Sequence, residues 1–287
     1  MRFPDEEACQ DYLFRRRWPD GYACPRCGGT SCSHISTRNL YQCLSCSYQV
    51  SLTALTVMDK TRTPLRIWFG MIFLTAHHKA AVSILEASRI LGISYKRAWL
   101  LAQRIREAIE NTNSDQKLSG VVELGYAYIG GKHRPVKILE EAYGKIPVLA
   151  AVSVERDRPR YASIRVLPSL TTQEIQGAFA DMVESDASVV TYGLLAYTLA
   201  CMKYKGNVKT IGDPRTASEK LPFVHSLVTN VSATISGTHR GVSRQRTQYY
   251  LAETCWKFCE VWKEGDPFDR LLCMCTCSKS VAQINLR

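Results

Sequence analysis

The chain has 287 residues, 46% of them hydrophobic, which suits two or three folded units and excludes a largely disordered protein. Its 37 lysines and arginines outnumber its 26 acidic residues, and the net charge of +11 favours a polyanionic partner such as nucleic acid. No apolar run reaches the ~18 residues that span a bilayer, and the first ten residues, MRFPDEEACQ, do not resemble a signal peptide. We therefore expect a cytoplasmic protein that does not enter a membrane.

After a short amphipathic helix that ends before Pro19, two CxxC pairs enclose the fifteen residues 28–42. Two such knuckles at this spacing can place four thiolates in a tetrahedron around Zn²⁺, because each tight turn donates two ligands. The predicted ligands are Cys24, Cys27, Cys43 and Cys46. Four protein ligands close the coordination sphere, so the zinc is predicted to be structural. The alternative is that the thiols remain without metal. Cys32 and His34, which lie between the knuckles, are not expected to be ligands.

The region that follows the predicted zinc ribbon has helical periodicity. Pro64 suits the first turn of a helix from Leu65 to about His78. Two further helices are predicted, separated by Gly92, with Ser94 capping the second, which is the pattern of a helix-turn-helix. Five residues of the second helix are predicted to be exposed and to contact DNA bases and phosphates: Tyr95, Lys96, Arg97, Gln103 and Arg104. The alternative is a helical hairpin whose basic face is only solvated.

A polar segment at residues 111–116, NTNSDQ, is the best candidate linker, and beyond it the pattern becomes mixed α and β. The stretch from Val121 to Lys132, VVELGYAYIGGK, predicts a strand with Glu123, Gly125 and Ala127 on one face. Further strands are predicted at Ile146 to Val154, Tyr161 to Leu167 and Ser188 to Thr191, with a helix at Thr171 to Val183. Three strands, a helix, a strand and then helices is the order of an RNase H-like domain.

Several stretches together resemble the bacterial insertion-sequence transposases of the zinc-ribbon group related to Merlin elements. They are the strand VVELGYAYIGGK, the segment CSYQVSLTALTVMDKTRTPLRIWF after the knuckles, ILGISYKRAWLLAQRIREA, VTYGLLAY and LPFVHSLVTNVSATISGTHRGVS. The resemblance implies an RNase H-like DDE domain that uses Mg²⁺ or Mn²⁺ to cleave and join DNA. It also implies that the partner is double-stranded DNA at the element's terminal inverted repeats, bound by a homo-oligomer.

Two of the family's three catalytic positions are changed in this sequence. The first Asp of the family falls at Gly125 and the second at Tyr192, whereas the third position is Asn230, with His225 nearby. Two-metal chemistry needs oxygen ligands, including a carboxylate that bridges the ions, and neither glycine nor a neutral phenol supplies one. The resemblance therefore predicts that Asn230 and His225 are remnants of a site that no longer binds its metal ions.

The sequence predicts an α+β multidomain protein: an N-terminal helix and zinc ribbon (1–52), a helix-turn-helix (53–113) and an RNase H-like domain with a degenerate C-terminal tail (114–287). Cys273, Cys275 and Cys277 alternate, and on a strand they would share one face and could bind copper or zinc. No fourth ligand accompanies them, so a degenerate tail is the preferred interpretation. We expect a transposase-like DNA-binding protein without catalysis. The alternatives are a regulatory or oligomerising partner of an active transposase, an active enzyme that uses substitute carboxylates, or a decayed copy.

Overall fold

The computed structural model of the chain describes residues 2–79, 81–130, 145–202, 204–211, 217–238 and 242–277. The chain divides into two compact units. The first comprises Met1–His77, Ile84–Ala108 and Asp266–Arg287, and the second His78–Ser83 and Ile109–Gly265. The segment from Asp266, assigned by sequence to the tail of the third domain, thus belongs to the same unit as the two N-terminal regions.

The first unit begins with helix α1 (Glu6–Arg17), whose N-terminus is capped by the side chain of Asp5. A three-stranded antiparallel sheet follows, in the order β1 (Cys32–Ile35), β2 (Leu40–Cys43) and β3 (Gln49–Ser51). The strands are too short to enclose a large core, and aromatic rings fill the space between α1 and β2. Centroids of neighbouring rings lie 4.9–6.4 Å apart among Phe14, Trp18, Tyr22 and Tyr41.

The helices of the first unit are α2 (Leu65–His77), α3 (Ile84–Ile90), α4 (Tyr95–Ser114), whose residues from Ile109 belong to the second unit, and α10 (Pro267–Cys277). Helix α10 packs on α2, and the carbonyl of Cys275 accepts a hydrogen bond from the backbone of Val57. The alternating thiols therefore lie on a helix and do not share one face, since Cys275 is buried whereas Cys273 and Cys277 are exposed. The buried side chains follow a helical period that outweighs the alternating thiols: Phe268, Leu271, Leu272 and Cys275.

The turn between α3 and α4 is fixed by backbone hydrogen bonds. The Ile93 amide donates to the carbonyl of Ser88 (3.0 Å) and the Gly92 amide to that of Arg89 (3.3 Å). This pair of bonds is a Schellman motif, which requires a left-handed residue, and Gly92 has a φ of +62°. The backbone amide of Arg97 then donates to Oγ of Ser94 (3.4 Å), as predicted for the cap of α4.

The second unit contains a five-stranded sheet in the order β6-β5-β4-β7-β8. Strands β4, β5 and β6 pair antiparallel, whereas β7 runs parallel to both β4 and β8. The strands are β4 (Val121–Ile129), β5 (Ile146–Glu155), β6 (Arg158–Val166), β7 (Ser188–Tyr192) and β8 (Val208–Ile211). The helices are α5 (Thr172–Met182), α6 (Gly193–Cys201), α7 (Ala217–Lys220), α8 (Pro222–Ala233) and α9 (Arg244–Glu260).

Helices cover both faces of this sheet, and the alternation of β4 decides which residues meet which helices. Val122 and Leu124 lie in a buried cluster with residues of α5 and α6. Ala127 and Ile129 of the opposite face pack against residues of α8 and α9. The order and direction of the strands fit the predicted RNase H-like fold. Gly131, Lys132 and residues 239–241 of the motifs lie outside the described residues.

Candidate metal centre and the strand edge at Gly125

Four thiols of the first unit lie together, as the CxxC spacing predicted. The Sγ atoms of Cys24, Cys27, Cys43 and Cys46 all lie within 4.8 Å of one another. Two of the separations, Cys24 to Cys46 and Cys27 to Cys43, are 3.7 and 3.6 Å. A tetrahedron with Zn–S bonds of about 2.3 Å places its sulfurs about 3.8 Å apart. The donor set therefore fits a structural zinc ion.

A backbone hydrogen bond closes the turn of each CxxC pair and so positions its two thiols. The amide of Gly28 donates to the carbonyl of Cys24 (2.9 Å), and the amide of Ser47 donates to that of Cys43 (3.0 Å). Beside the first knuckle, a Cβ at Gly29 would lie 2.9 Å from Oγ of Ser45 and 3.2 Å from Sγ of Cys43. Glycine is thus required where the two knuckles approach each other.

The same backbone favours the ligand form of the first cysteine. Burial raises the pKa of Cys24, but hydrogen bonds from the backbone of Arg26 and Cys27 and from neighbouring thiols outweigh it and bring that pKa to about 6. The thiolate, which is the form that binds Zn²⁺, is therefore accessible at neutral pH. Cys32 is not part of the four-thiol group, in agreement with the sequence.

In the second unit, the predicted positions of the lost Asp residues lie on two neighbouring parallel strands. Glu123 of β4 is in register with Val190 of β7. Continuing that register by two residues places Tyr192 beside Gly125. The ring of Tyr192 lies 5.9 Å, centroid to centroid, from that of Tyr126, and burial raises the pKa of its phenol. A neutral phenol therefore stands at the end of β7.

Helix α8 closes over Gly125 through one valine. A Cβ at Gly125 would lie 3.2 Å from Cγ1 of Val224, so this side chain occupies the space that a longer residue 125 would enter. Asn230 lies six residues farther along the helix, about 9 Å along its axis, and lines a cavity of about 470 Å³ together with Glu253 and Lys257. His225 and Asn230 are both exposed. Gly125 and Tyr192 thus lie on neighbouring parallel strands, whereas Asn230 lies on α8, six residues beyond the valine that covers Gly125.

The carboxylate closest in sequence to Gly125 has a structural partner. Oε2 of Glu123 accepts hydrogen bonds from the backbone amides of Phe223 (3.0 Å) and Val224 (2.8 Å), in the first turn of α8. These amides have no acceptor within their own helix, and a negative charge there is favourable. Burial raises the pKa of Glu123, and the two amides oppose that shift. Sequence reasoning could not find this role, because the partners are about 100 residues away.

We expect Glu123→Ala to destabilise the second unit by about 2 kcal/mol, because it leaves two helix N-terminal amides buried without an acceptor. Glu123→Gln keeps a carbonyl oxygen of the same reach and should lose less than half as much. Urea unfolding of both full-length variants beside the wild type measures the difference. An unchanged midpoint for Glu123→Ala would show that the carboxylate does not support α8.

The residues at positions 125 and 192 do not provide ligands for a pair of divalent metal ions. Mg²⁺ and Mn²⁺ need carboxylate oxygens, and neither Gly125 nor Tyr192 carries one. Across the described parts of the chain, the four-cysteine group is the only set of three or more His, Cys, Asp or Glu side chains close enough to hold a metal ion.

Comparison with known families matches two separate regions of the chain. The transposase zinc-ribbon domain matches residues 4–49, and the ISXO2-like transposase domain matches residues 117–258. The chain belongs to the ISXO2-like family of insertion-sequence transposases. The two matches cover the four-thiol group and the whole five-stranded sheet. A comparison with curated proteins gives no match.

Between its two matched regions, the ISXO2-like chain carries the predicted DNA-contacting helix α4. Tyr95, Lys96 and Arg97 are exposed at its N-terminal end. Gln103, in contrast, is 5% exposed, so the prediction that it is exposed was wrong. The helical period places it away from the residues that the sequence placed inward, but residues 101–109 of α4 are buried or half-buried on every side. A side chain covered in this way does not face DNA.

Arg104 is half-buried and has a structural role in the first unit. Its guanidinium donates from Nη1 to the carbonyls of Val57 (3.2 Å) and Asp59 (3.4 Å). The predicted contact surface of the ISXO2-like chain therefore narrows to the first turn of α4. In the described parts of the chain, no helix combines the length and apolar character needed to cross a membrane.

Proposed function

We propose that this ISXO2-like chain binds double-stranded DNA at the terminal inverted repeats of its element without cleaving it. In this proposal, α3 and α4 form the helix-turn-helix, with α4 as the recognition helix, and the protein binds as a homo-oligomer. The zinc ribbon (1–52), the helix-turn-helix (53–113) and the RNase H-like domain (114–287) are its three functional parts. Family membership makes DNA the expected partner.

The observation that carries the binding part is the exposed basic first turn of α4. Lys96 and Arg97 follow the capped N-terminus directly, and the Schellman turn at Gly92 holds α3 against it. The N-terminal residues of a recognition helix are the ones that reach base edges in a major groove. Tyr95, 56% exposed, supplies a flat surface beside them.

The chemistry of the strand edge supports the loss of cleavage. The two positions that meet on β4 and β7 carry a glycine and a half-buried phenol, and the nearby Glu123 accepts from α8. A substitute carboxylate would have to arrive within a fraction of an ångström of the lost one, since metal sites tolerate little misplacement. We therefore expect neither Mg²⁺ nor Mn²⁺ to bind at Gly125 and Tyr192.

The test of binding is the double substitution Lys96→Gln/Arg97→Gln in the zinc-loaded full chain. We expect it to weaken binding to a terminal-repeat duplex at least tenfold, because it removes two cations from the predicted contact surface. Gln103→Met, a buried neighbour on the same helix, should leave the dissociation constant unchanged. Fluorescence anisotropy measures both.

Three results would separate this proposal from its alternatives. Wild-type chain without DNA affinity that associates with an intact transposase would identify an oligomerising partner. Equal affinity of wild type and Lys96→Gln/Arg97→Gln would show that α4 is not the DNA-binding element. Cleavage of the duplex by the wild type in Mn²⁺ would identify an active enzyme with substitute carboxylates.

A further inference from the structure

A basic recess lies in the first unit between the segment 60–63 and the first turns of α4. It has a volume of about 350 Å³. We call it the α4 recess. Its lining residues are Lys60, Thr61, Arg62, Thr63, Trp68, Ser94, Lys96, Arg97, Leu100, Leu101 and Arg104. Five of these side chains are cationic and none is acidic.

Four of the cations are available to a ligand. Lys60, Arg62, Lys96 and Arg97 are exposed, and within the part of the chain that the structure describes no carboxylate lies within ion-pair distance of them. Asp59 precedes Lys60 in the chain but does not line the recess. Four like charges converging on one concavity repel each other, and an anionic ligand relieves that repulsion.

The segment 60–63 is held in place by its own hydrogen bonds. Oγ1 of Thr61 accepts from Nε1 of Trp68 (3.0 Å) and from the backbone amide of Thr63 (3.1 Å). The preceding turn is fixed by the two bonds from Arg104 to the carbonyls of Val57 and Asp59. A segment that is already ordered loses little conformational entropy when it binds.

We infer that Lys60 and Arg62 contact the phosphate backbone of the DNA strand that flanks the groove entered by α4. This inference rests on the proposed DNA binding and adds a segment outside helices α3 and α4. A recess of about 350 Å³ cannot admit a duplex, whose major groove alone is about 12 Å wide. Its cations therefore suit phosphate groups rather than base edges. Contacts that position a recognition helix are made mostly to phosphates by such neighbouring segments.

The test is the double substitution Lys60→Gln/Arg62→Gln in the zinc-loaded full chain. Glutamine is chosen because it removes the charge but keeps an unbranched polar side chain, so at Lys60, which has a φ of +54°, the backbone cost is the same before and after the substitution. Lys205→Gln/Lys209→Gln is the matched control, since it removes the same charge from two exposed lysines of the second unit. The probe is a duplex of mixed sequence, titrated by anisotropy between about 50 and 200 mM KCl.

We expect Lys60→Gln/Arg62→Gln to bind about tenfold more weakly at low salt and to lower the slope of log K against log salt by about 2, with the same loss on a second, unrelated duplex. If the wild type binds the duplex and Lys60→Gln/Arg62→Gln binds it with the same affinity and the same salt slope, the inference about Lys60 and Arg62 is overturned but the proposed DNA binding is not. An equal loss in the lysine control would also overturn it, because the effect would then follow net charge. A wild type that binds no duplex would overturn the proposed function itself.

Discussion

Cys43→Ser is expected to remove zinc from the protein and to unfold the ribbon of residues 24–51. Cys43 is fully buried and its thiol lies 3.6 Å from that of Cys27. Structural zinc binds with an apparent free energy of about 10–16 kcal/mol, and the three short strands have no large core to replace it. The DNA affinity of the full chain should fall with the ribbon if both modules contact one duplex.

Zinc content by atomic absorption and the thermal unfolding curve measure the effect of Cys43→Ser. The matched control is Cys32→Ser, which changes a thiol on the neighbouring strand β1 that is outside the four-thiol group. We expect Cys32→Ser to keep one zinc per chain and its unfolding temperature. Full zinc occupancy in Cys43→Ser would refute the ligand assignment.

Gly125→Asp/Tyr192→Asp is expected to create Mn²⁺ binding where the wild-type strand edge has none. Continuing the register of β4 and β7 beyond Glu123 and Val190 puts the two new carboxylates on adjacent strands, which is the arrangement a shared divalent ion needs. Loss of the half-buried Tyr192 ring should lower stability by about 2–3 kcal/mol. A Cβ at residue 125 lies 3.2 Å from Val224, so adding Val224→Ala should tighten the binding.

Isothermal titration of Mn²⁺ into zinc-loaded full-length protein measures this gain. Gly177→Asp is the control, because a Cβ at Gly177 has open space around it and the new carboxylate lies on α5. Binding in Gly125→Asp/Tyr192→Asp alone would show that the scaffold is kept while its metal ligands are lost. Saturable binding of two Mn²⁺ ions by the wild type would show that other carboxylates have taken over.

The sequence predicts those features of the chain that depend on local spacing. The CxxC pairs give the thiol group, the alternation around Gly125 gives the two faces of β4, and Gly92 with Ser94 gives the turn before α4. Each is decided by residues a few positions apart, where backbone geometry alone fixes the outcome.

Features that depend on distant partners were not predictable in this way. Glu123 accepts from amides about 100 residues away, and the segment 60–63 meets α4 only in the folded unit. Helix α10 lies where the sequence analysis predicted only a degenerate tail, although the segment has a helical apolar period. Gln103 was wrongly predicted to be exposed because residues 101–109 of α4 are covered on every side in the fold, which the helical period of the sequence does not show.

DNA binding and DNA cleavage can be measured together on one sample of the protein. Zinc-loaded wild-type chain is mixed with a labelled terminal-repeat duplex in Mn²⁺, the anisotropy is recorded, and the DNA is then resolved on a denaturing gel. Saturable binding with intact DNA is the predicted result. Cleaved strands that appear with Mn²⁺ and disappear with EDTA would show that the chain is an active nuclease.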